Sequence, residues 1–222
     1  MKICQLELLC HDLEATRTFY VDTLQLPVVC ELPGSLTVRA GWTDLIFVRT
    51  DTPVAPYHFA FNVATNSLET LIKSFPLPYL NTAFGQRIAT FTDWRARACY
   101  FRDAAGNLVE FIERRDALFG GAPSQLFQGV SEIGLAVDDV TALTRYLVEE
   151  FALPQFSKMN PLPDFNAVGD DFGLFILART GRKWLFTDIP AEAQPCKVLF
   201  TDCYNLPHLL TFRERKAAIA AC

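Results

Sequence analysis

Two segments of the chain follow the same plan, and this repetition restricts its fold more than any other feature. Gln5–Leu26 and Glu132–Leu153 each contain an apolar alternation, then an aspartate, a helical pattern and a Leu-Pro exit. Asp12 and Asp139 stand where an N-cap accepts the first free amides of a helix. Short apolar runs follow each helix, so the predicted unit is βαβββ. Duplication of this unit is the simplest explanation.

A third unit lies between these copies and agrees with them in the order of its elements. It has a predicted strand at Tyr57–Val63, a helix at Leu68–Phe75, and hairpin strands at Arg97–Arg102 and Leu108–Arg114. A fourth unit is expected to begin at Lys197–Asp202, with too little sequence after it for the remaining strands. The chain is therefore predicted to contain three units and a truncated fourth.

One segment has the composition of a linker. Residues 116–128 contain two glycines, a proline and several polar residues. The expected division is 1–115 with paired units, 116–128 as linker, and 129–222 as a degenerate, structural second pair.

Composition excludes several classes of protein. The net charge of -5 comes from 25 acidic and 20 basic residues without long runs, which argues against nucleic-acid partners and a polybasic membrane anchor. No apolar stretch reaches the roughly 18 residues that span a bilayer. Seven cysteines are scattered without a Cys-x-x-Cys pair, which favours reduced thiols. A cytoplasmic protein is expected.

A buried carboxylate is predicted near the middle of the chain. Phe101–Glu113 reads as a strand, a turn at Asp103 to Asn107, and a second strand that places Glu110 among apolar residues. An ionised carboxylate in such a position costs several kcal/mol unless it meets a cation, a metal or strong donors. Glu110 therefore requires a partner.

These features together resemble the vicinal oxygen chelate superfamily, which includes glyoxalase I, extradiol dioxygenases and the bleomycin and fosfomycin resistance proteins. The resemblance rests on the tandem units, on Asp12-Leu13-Glu14 with Phe19-Tyr20, and on Asp103-x-x-Gly106-Asn107-x-x-Glu110. It covers residues 1–115 and extends more weakly over 129–200. It implies an α+β fold in which tandem βαβββ units form paired, curved mixed sheets around a cup.

The resemblance also implies a metal site. The ligand positions of the family fall on Gln5, His58 and Glu110, and the fourth position is apolar. Three protein ligands leave room for water or a chelating substrate and suit Zn, Ni, Mn or Fe. Glu7 shares a strand face with Gln5 and is the candidate for proton transfer, together with Glu110.

The implied function is a metal-dependent enzyme that binds two neighbouring oxygens of a small substrate, with isomerase or lyase chemistry preferred and ring-cleaving dioxygenation as the family alternative. Trp94, Arg97 and Tyr100 are candidate substrate-binding residues. A monomer or homodimer is expected, because an internal duplication reduces the need for a dimer.

Four other interpretations stay open. His58 can be an ordinary core histidine, and Glu110 can pair with Arg97 or Arg102 on the neighbouring strand. The protein can be a metal-free small-molecule-binding protein of the bleomycin-resistance type, or a catalytically silent homologue. Glu132 occupies the position in the later unit that Gln5 occupies in the first, but no second triad can be assembled from the sequence.

Overall fold

The structure is a computed structural model that describes residues 1–116 and 126–213. These residues form thirteen strands and three α-helices. The strands are β1 Lys2–Cys10, β2 Val28–Leu32, β3 Ser35–Ala40, β4 Thr43–Arg49, β5 His58–Val63, β6 Ala89–Phe91, β7 Ala96–Arg102, β8 Leu108–Arg114, β9 Phe127–Val137, β10 Phe165–Asp170, β11 Gly173–Arg179, β12 Cys196–Thr201 and β13 Pro207–Phe212. The helices are α1 Leu13–Arg17, which continues as a π-helical turn at Thr18–Thr23, α2 Leu68–Ser74 and α3 Val140–Phe151.

The predicted α+β class is confirmed, although the unit that begins with β9 has two strands after its helix instead of the three predicted. In each of the three units the first strand pairs in parallel with the last strand, as β1 with β4, β5 with β8, and β9 with β11. The side chains of Asp12 and Asp139 accept hydrogen bonds from the amides of Ala15 and Ala142, as N-caps do. The fourth unit is a hairpin of β12 and β13.

The units combine differently from the pairing expected within 1–115 and within 129–222. One sheet has the order β13-β12-β1-β4-β3-β2, and the other has the order β10-β11-β9-β5-β8-β7-β6. The first unit therefore shares a sheet with the fourth, and the second shares a sheet with the third. The linker candidate lies mostly outside the described residues, so the proposed division of the chain stays a prediction.

Burial accounts for this pairing. Every residue of β5 is buried, and β9 is buried along nearly its whole length. Strands that are covered on both faces belong together in the interior of a sheet with two covered faces. Strand β1 instead alternates between buried and more exposed residues, as expected for a sheet with one open face. Strands buried on both faces have therefore paired with each other.

Two apolar clusters lie on opposite faces of the seven-stranded sheet. The main core contains one face of each sheet and the buried sides of the helices, and Phe59 and Phe61 of β5 lie in it. His58, Ala60 and Asn62 alternate with these residues and face the other way, into the cup. Alanines and aromatic side chains fill the cup.

The two sheets meet at the turn between β3 and β4. Thr43 Oγ1 donates to the carbonyl of Ile3 at 2.7 Å and accepts from the amide of Val130 at 2.9 Å. Gly41 has a φ of +56°, and a Cβ there would lie 1.9 Å from the carbonyl oxygen of Gln128. Only glycine therefore allows this close approach.

No helix in the described ranges has the length and apolar character needed to cross a bilayer. The described cysteines are all free thiols, which agrees with their scattered spacing.

A buried hydrogen-bond network ties the first unit to the second. Tyr20 Oη donates to Asp103 Oδ2 at 2.6 Å, and Asp103 also accepts from the amides of Ala105 and Asn107 at 2.9 Å. Asn107 Oδ1 accepts from the amide of Tyr57 at 2.9 Å. Burial raises the pKa of the Asp103 carboxyl, and these hydrogen bonds oppose the rise. The network fixes the β7–β8 turn that leads to Glu110.

We expect Tyr20→Phe to lower the free energy of unfolding by about 1–3 kcal/mol, because it leaves a buried carboxylate without one of its donors. The ring contact with Phe47 at 4.6 Å is kept. Urea unfolding measures the change. Tyr204→Phe at an exposed tyrosine is the control. Equal midpoints for the two variants would contradict this account of the network.

Candidate metal centre

Three buried side chains with metal-ligating atoms converge on the cup face of the seven-stranded sheet. They are His58 of β5, Glu110 of β8 and Glu132 of β9, with exposed fractions of 6%, 2% and 3%. One ligand atom from each lies within 4.8 Å of the others, the one such group found among the described residues. Ala60 pairs in register with both glutamates, and its small side chain leaves space between them.

The orientation of His58 is set by its backbone surroundings. Its Nδ1 lies 3.1 Å from the carbonyl oxygen of Leu108, which can only accept, so Nδ1 carries the proton. Burial lowers the pKa of His58 to about 4. The imidazole is therefore neutral at pH 7, and Nε2 presents its lone pair to the cup.

Nε2 of His58 lies 3.8 Å from Glu110 Oε2. Because the imidazole is neutral, this contact is not an ion pair. Burial raises the pKa of Glu110 well above its usual value, and the nearby carboxylate of Glu132 raises it further. Arg114 and Tyr100 oppose this rise. Glu110 therefore holds a proton more readily than an exposed glutamate does.

Glu132 has a cationic partner. Arg114 of β8 forms an ion pair with it through Nη2, and its Nη1 lies 3.4 Å from Asp171 Oδ1. Lys158 Nζ lies 2.6 Å from Asp171 Oδ2 and extends the network. Burial raises the pKa of Glu132, while Arg114 lowers it. The two glutamates thus have different surroundings.

The donor set fits a divalent cation. One imidazole nitrogen and two carboxylates are common ligands of first-row metals, and ligands bound at about 2.1 Å and at roughly 90–110° lie about 3–3.5 Å apart. The Nε2–Oε2 distance of 3.8 Å requires little adjustment. The bond from Nδ1 to a carbonyl is the usual support of a ligating histidine. Glu110 pairs with the residue two positions after His58, and the equivalent position in the third unit pairs with Gly134, two residues after Glu132. Ile176 of β11 occupies that position, so it supplies no fourth ligand.

Aromatic side chains close the cup over these residues. The ring of Trp184 lies 4.9 Å from the His58 ring, and Trp94 packs edge-on against Phe156 at 4.8 Å. Gly134 allows the first contact, because a Cβ there would lie 2.7 Å from Trp184. The site is thus enclosed by side chains from several loops.

Two of the candidate substrate-binding residues lie in the cup. Tyr100 of β7 is opposite Glu110 in register and is buried. Its phenol has a pKa well above the usual value, first because of burial and then because of the Glu110 carboxylate. Trp94 packs beneath the Arg114 guanidinium at 5.7 Å.

Three other candidates lie elsewhere. Gln5 and Glu7 are on β1 of the six-stranded sheet, and Glu7 pairs there with Lys197 at 2.8 Å. The structure therefore does not bring Gln5 together with His58 and Glu110. Arg97 faces away from the cup and contacts Glu113 at 2.5 Å and Glu69 at 2.7 Å. It is not the partner of Glu110.

Sequence reasoning did not assign Glu132 and Arg114 to the site. The repeat shows that Glu132 is equivalent to Gln5. Pairing the units in chain order, however, placed Glu132 in a different pair from His58. In the structure β5 and β9 are buried on both faces, but the polar His58, Asn62 and Glu132 on these strands give no local sign of that burial in the sequence. Arg114 follows Glu110 at i+4 in a strand, which places both on one face.

Comparison with known proteins gives matches to solved structures. No protein-family model and no curated protein sequence matches the chain. A provisionally named dioxygenase from Bacillus subtilis is 17% identical, with 92% of this chain and 72% of that chain covered and a TM-score of 0.63. A lactoylglutathione lyase from Agrobacterium tumefaciens is 24% identical, with 54% and 96% covered and a TM-score of 0.42. A glyoxalase/bleomycin resistance protein/dioxygenase from Alicyclobacillus acidocaldarius is 20% identical, with 52% and 92% covered and a TM-score of 0.42.

The first match extends over nearly the whole chain, and the other two over about half of it. At 17% identity and a TM-score of 0.63, the first match establishes the fold and not the activity. The predicted resemblance is confirmed at that level. The chain has the fold of the vicinal oxygen chelate superfamily.

Proposed function

We propose that this protein is a metal-dependent isomerase or lyase that acts on a small substrate with two neighbouring oxygens. The observation that carries the proposal is the convergence of His58, Glu110 and Glu132 in one buried cluster. Such a set of titratable groups in an enclosed cup is typical of an active site.

The proposed role of each side chain follows from its surroundings. His58 and Glu132 would hold the metal throughout, because each is fixed by a second group, the Leu108 carbonyl and Arg114. A divalent ion in this position supplies Lewis acidity, which stabilises negative charge on a substrate oxygen. Zn, Ni, Mn and Fe all accept these ligands.

Glu110 and Tyr100 are the groups suited to moving protons. Burial raises the pKa of Glu110 in the metal-free cluster, and this carboxylate would act as the base if it leaves the metal. The raised pKa of Tyr100 keeps its phenol protonated, so it donates a hydrogen bond to developing charge. Glu7, the other candidate base, lies in the six-stranded sheet and has no part in this scheme.

Proton transfer is favoured over oxygen chemistry by the ligand set. Iron oxygenases of the facial-triad type use two histidines and one carboxylate, whereas this cluster offers one histidine and two carboxylates. Ring-cleaving dioxygenation is therefore the less favoured activity.

A metal-free binding protein is the second candidate, and one observation favours it. The Arg114–Glu132 ion pair neutralises one carboxylate of the cluster without any metal. In that function the cup would sequester a small molecule between aromatic side chains. Metal uptake separates the two candidates.

For the molecule as a whole, we propose a cytoplasmic location and a monomer or homodimer, with no nucleic-acid or membrane partner. The free cysteines and the small acidic excess support this placement.

We expect protein purified without chelators or affinity nickel to carry about one equivalent of a first-row divalent metal. His58→Ala, Glu110→Ala and Glu132→Ala each remove a ligand and should abolish uptake in elemental analysis. Gln5→Ala is the matched control, because Gln5 has the equivalent position in the first unit and should leave the metal content unchanged. Metal-free wild-type protein that also rejects added ions would overturn the enzyme proposal in favour of the binding protein.

We expect Gly134→Ala to lower the free energy of unfolding by about 1–3 kcal/mol, because the added methyl overpacks the contact between Trp184 and His58. Metal affinity should fall with it, since one of these two rings must shift. Gly34→Ala is the control, because no atom lies within 4 Å of a Cβ built there. Thermal unfolding and metal titration that gave equal results for both variants would refute this packing account.

A further inference from the structure

Arg114 is a fully buried guanidinium that the proposed chemistry leaves without a role beyond holding Glu132. It shares the cup face of β8 with Glu110 and Ile112. The rings of Trp94 and Phe156 lie 5.7 and 5.9 Å from it. Buried arginines normally engage all their donors, because each unmade hydrogen bond has a cost.

One nitrogen of the Arg114 guanidinium makes no hydrogen bond among the described residues. Its two terminal nitrogens contact Glu132 and Asp171, but its Nε has no hydrogen-bond partner among the described residues. The indole Nε1 of Trp184, which packs against His58, is likewise unpartnered in the described part of the chain. A buried donor without a partner costs about 1–3 kcal/mol. Both donors adjoin members of the triad, so acceptor atoms of a bound ligand would satisfy them.

The charges around the site favour an anionic ligand. The ionic groups of the network are three carboxylates and two cations: Glu110, Glu132, Asp171, Arg114 and Lys158. Asp116 also contacts Lys158, but Arg95 neutralises it at 3.0 Å. When Glu110 is deprotonated, as a metal ligand must be, the network has one net negative charge, and a divalent cation changes this to one net positive charge. A monoanion would restore neutrality inside the cup.

We propose that Arg114 is a substrate-binding residue that recognises a carboxylate, and that the substrate is a small 2-hydroxy or 2-oxo carboxylic acid. This inference rests on the proposed function, because the two neighbouring oxygens of such an acid include one from the carboxylate. The guanidinium provides the planar donor geometry that carboxylates match. Trp184 Nε1 supplies a further donor on the His58 side.

The test uses Co²⁺-loaded protein and two probes of nearly equal shape, glycolate and hydroxyacetone, which differ by a carboxylate oxygen in place of a methyl group. Binding is followed through the visible absorption of the bound cobalt. Arg114→Lys keeps the positive charge between Glu132 and Asp171 but has no Nε–H and no fork. Arg97→Lys is the control, since Arg97 forms its ion pairs on the opposite face of the sheet.

We expect Arg114→Lys to bind cobalt and to raise the dissociation constant of glycolate about tenfold, with hydroxyacetone changed less than about twofold. Trp184→Phe should weaken glycolate in the same sense, and Arg97→Lys should match the wild type. Equal glycolate binding by Arg114→Lys and wild type overturns the inference and leaves the metal site intact. Loss of cobalt by Arg114→Lys also overturns it, because Arg114 would then act only by orienting Glu132. Failure of the wild type to bind cobalt overturns the proposed function, and this inference with it.

Discussion

The antiparallel pairing of β5 with β9 is the contact on which the rest of the structure depends. It joins the second and third units into one sheet, and both faces of that sheet are buried. It sets Ala60 opposite Glu132, while the parallel pairing of β5 with β8 sets the same alanine opposite Glu110. His58 precedes Ala60 by two residues on the same face. Two hydrogen-bond registers therefore position the whole cluster.

The cluster is stable because its charges are compensated unequally. Two carboxylates buried together cannot both be ionised cheaply in an apolar cup. Arg114 compensates Glu132, whereas the pKa of Glu110 is raised, first by burial and then by the Glu132 carboxylate. His58 is kept neutral by burial and oriented by a carbonyl. Under the proposed function, these different surroundings would give each residue a different chemical role.

Much of the fold could be predicted from the sequence because its signals are local. The N-caps at Asp12 and Asp139, the turn at Asp103 and the alternation of β8 all depend on neighbouring residues, and each was located correctly. The short strand β6 was missed, since its three residues carry little pattern.

The combination of units was harder to predict because it depends on contacts between distant parts of the chain. The expectation that units pair in chain order led to Gln5, whereas the cluster contains Glu132. The sequence analysis predicted a role for Arg97 and did not consider Arg114, which lies on the adjacent strand and differs from it in register. Arg97 is opposite Glu113 on the outer side, and Arg114 is opposite Ala96 on the cup side.

The central claim is that one cation is held by residues of the second and third units. Anomalous X-ray scattering from crystals of the manganese- or zinc-loaded protein tests it most directly. The account predicts one peak within about 2.0–2.3 Å of His58 Nε2 and of oxygens from Glu110 and Glu132. A peak beside Gln5 in the six-stranded sheet, or crystals grown with excess metal that show no peak at the triad, would contradict it.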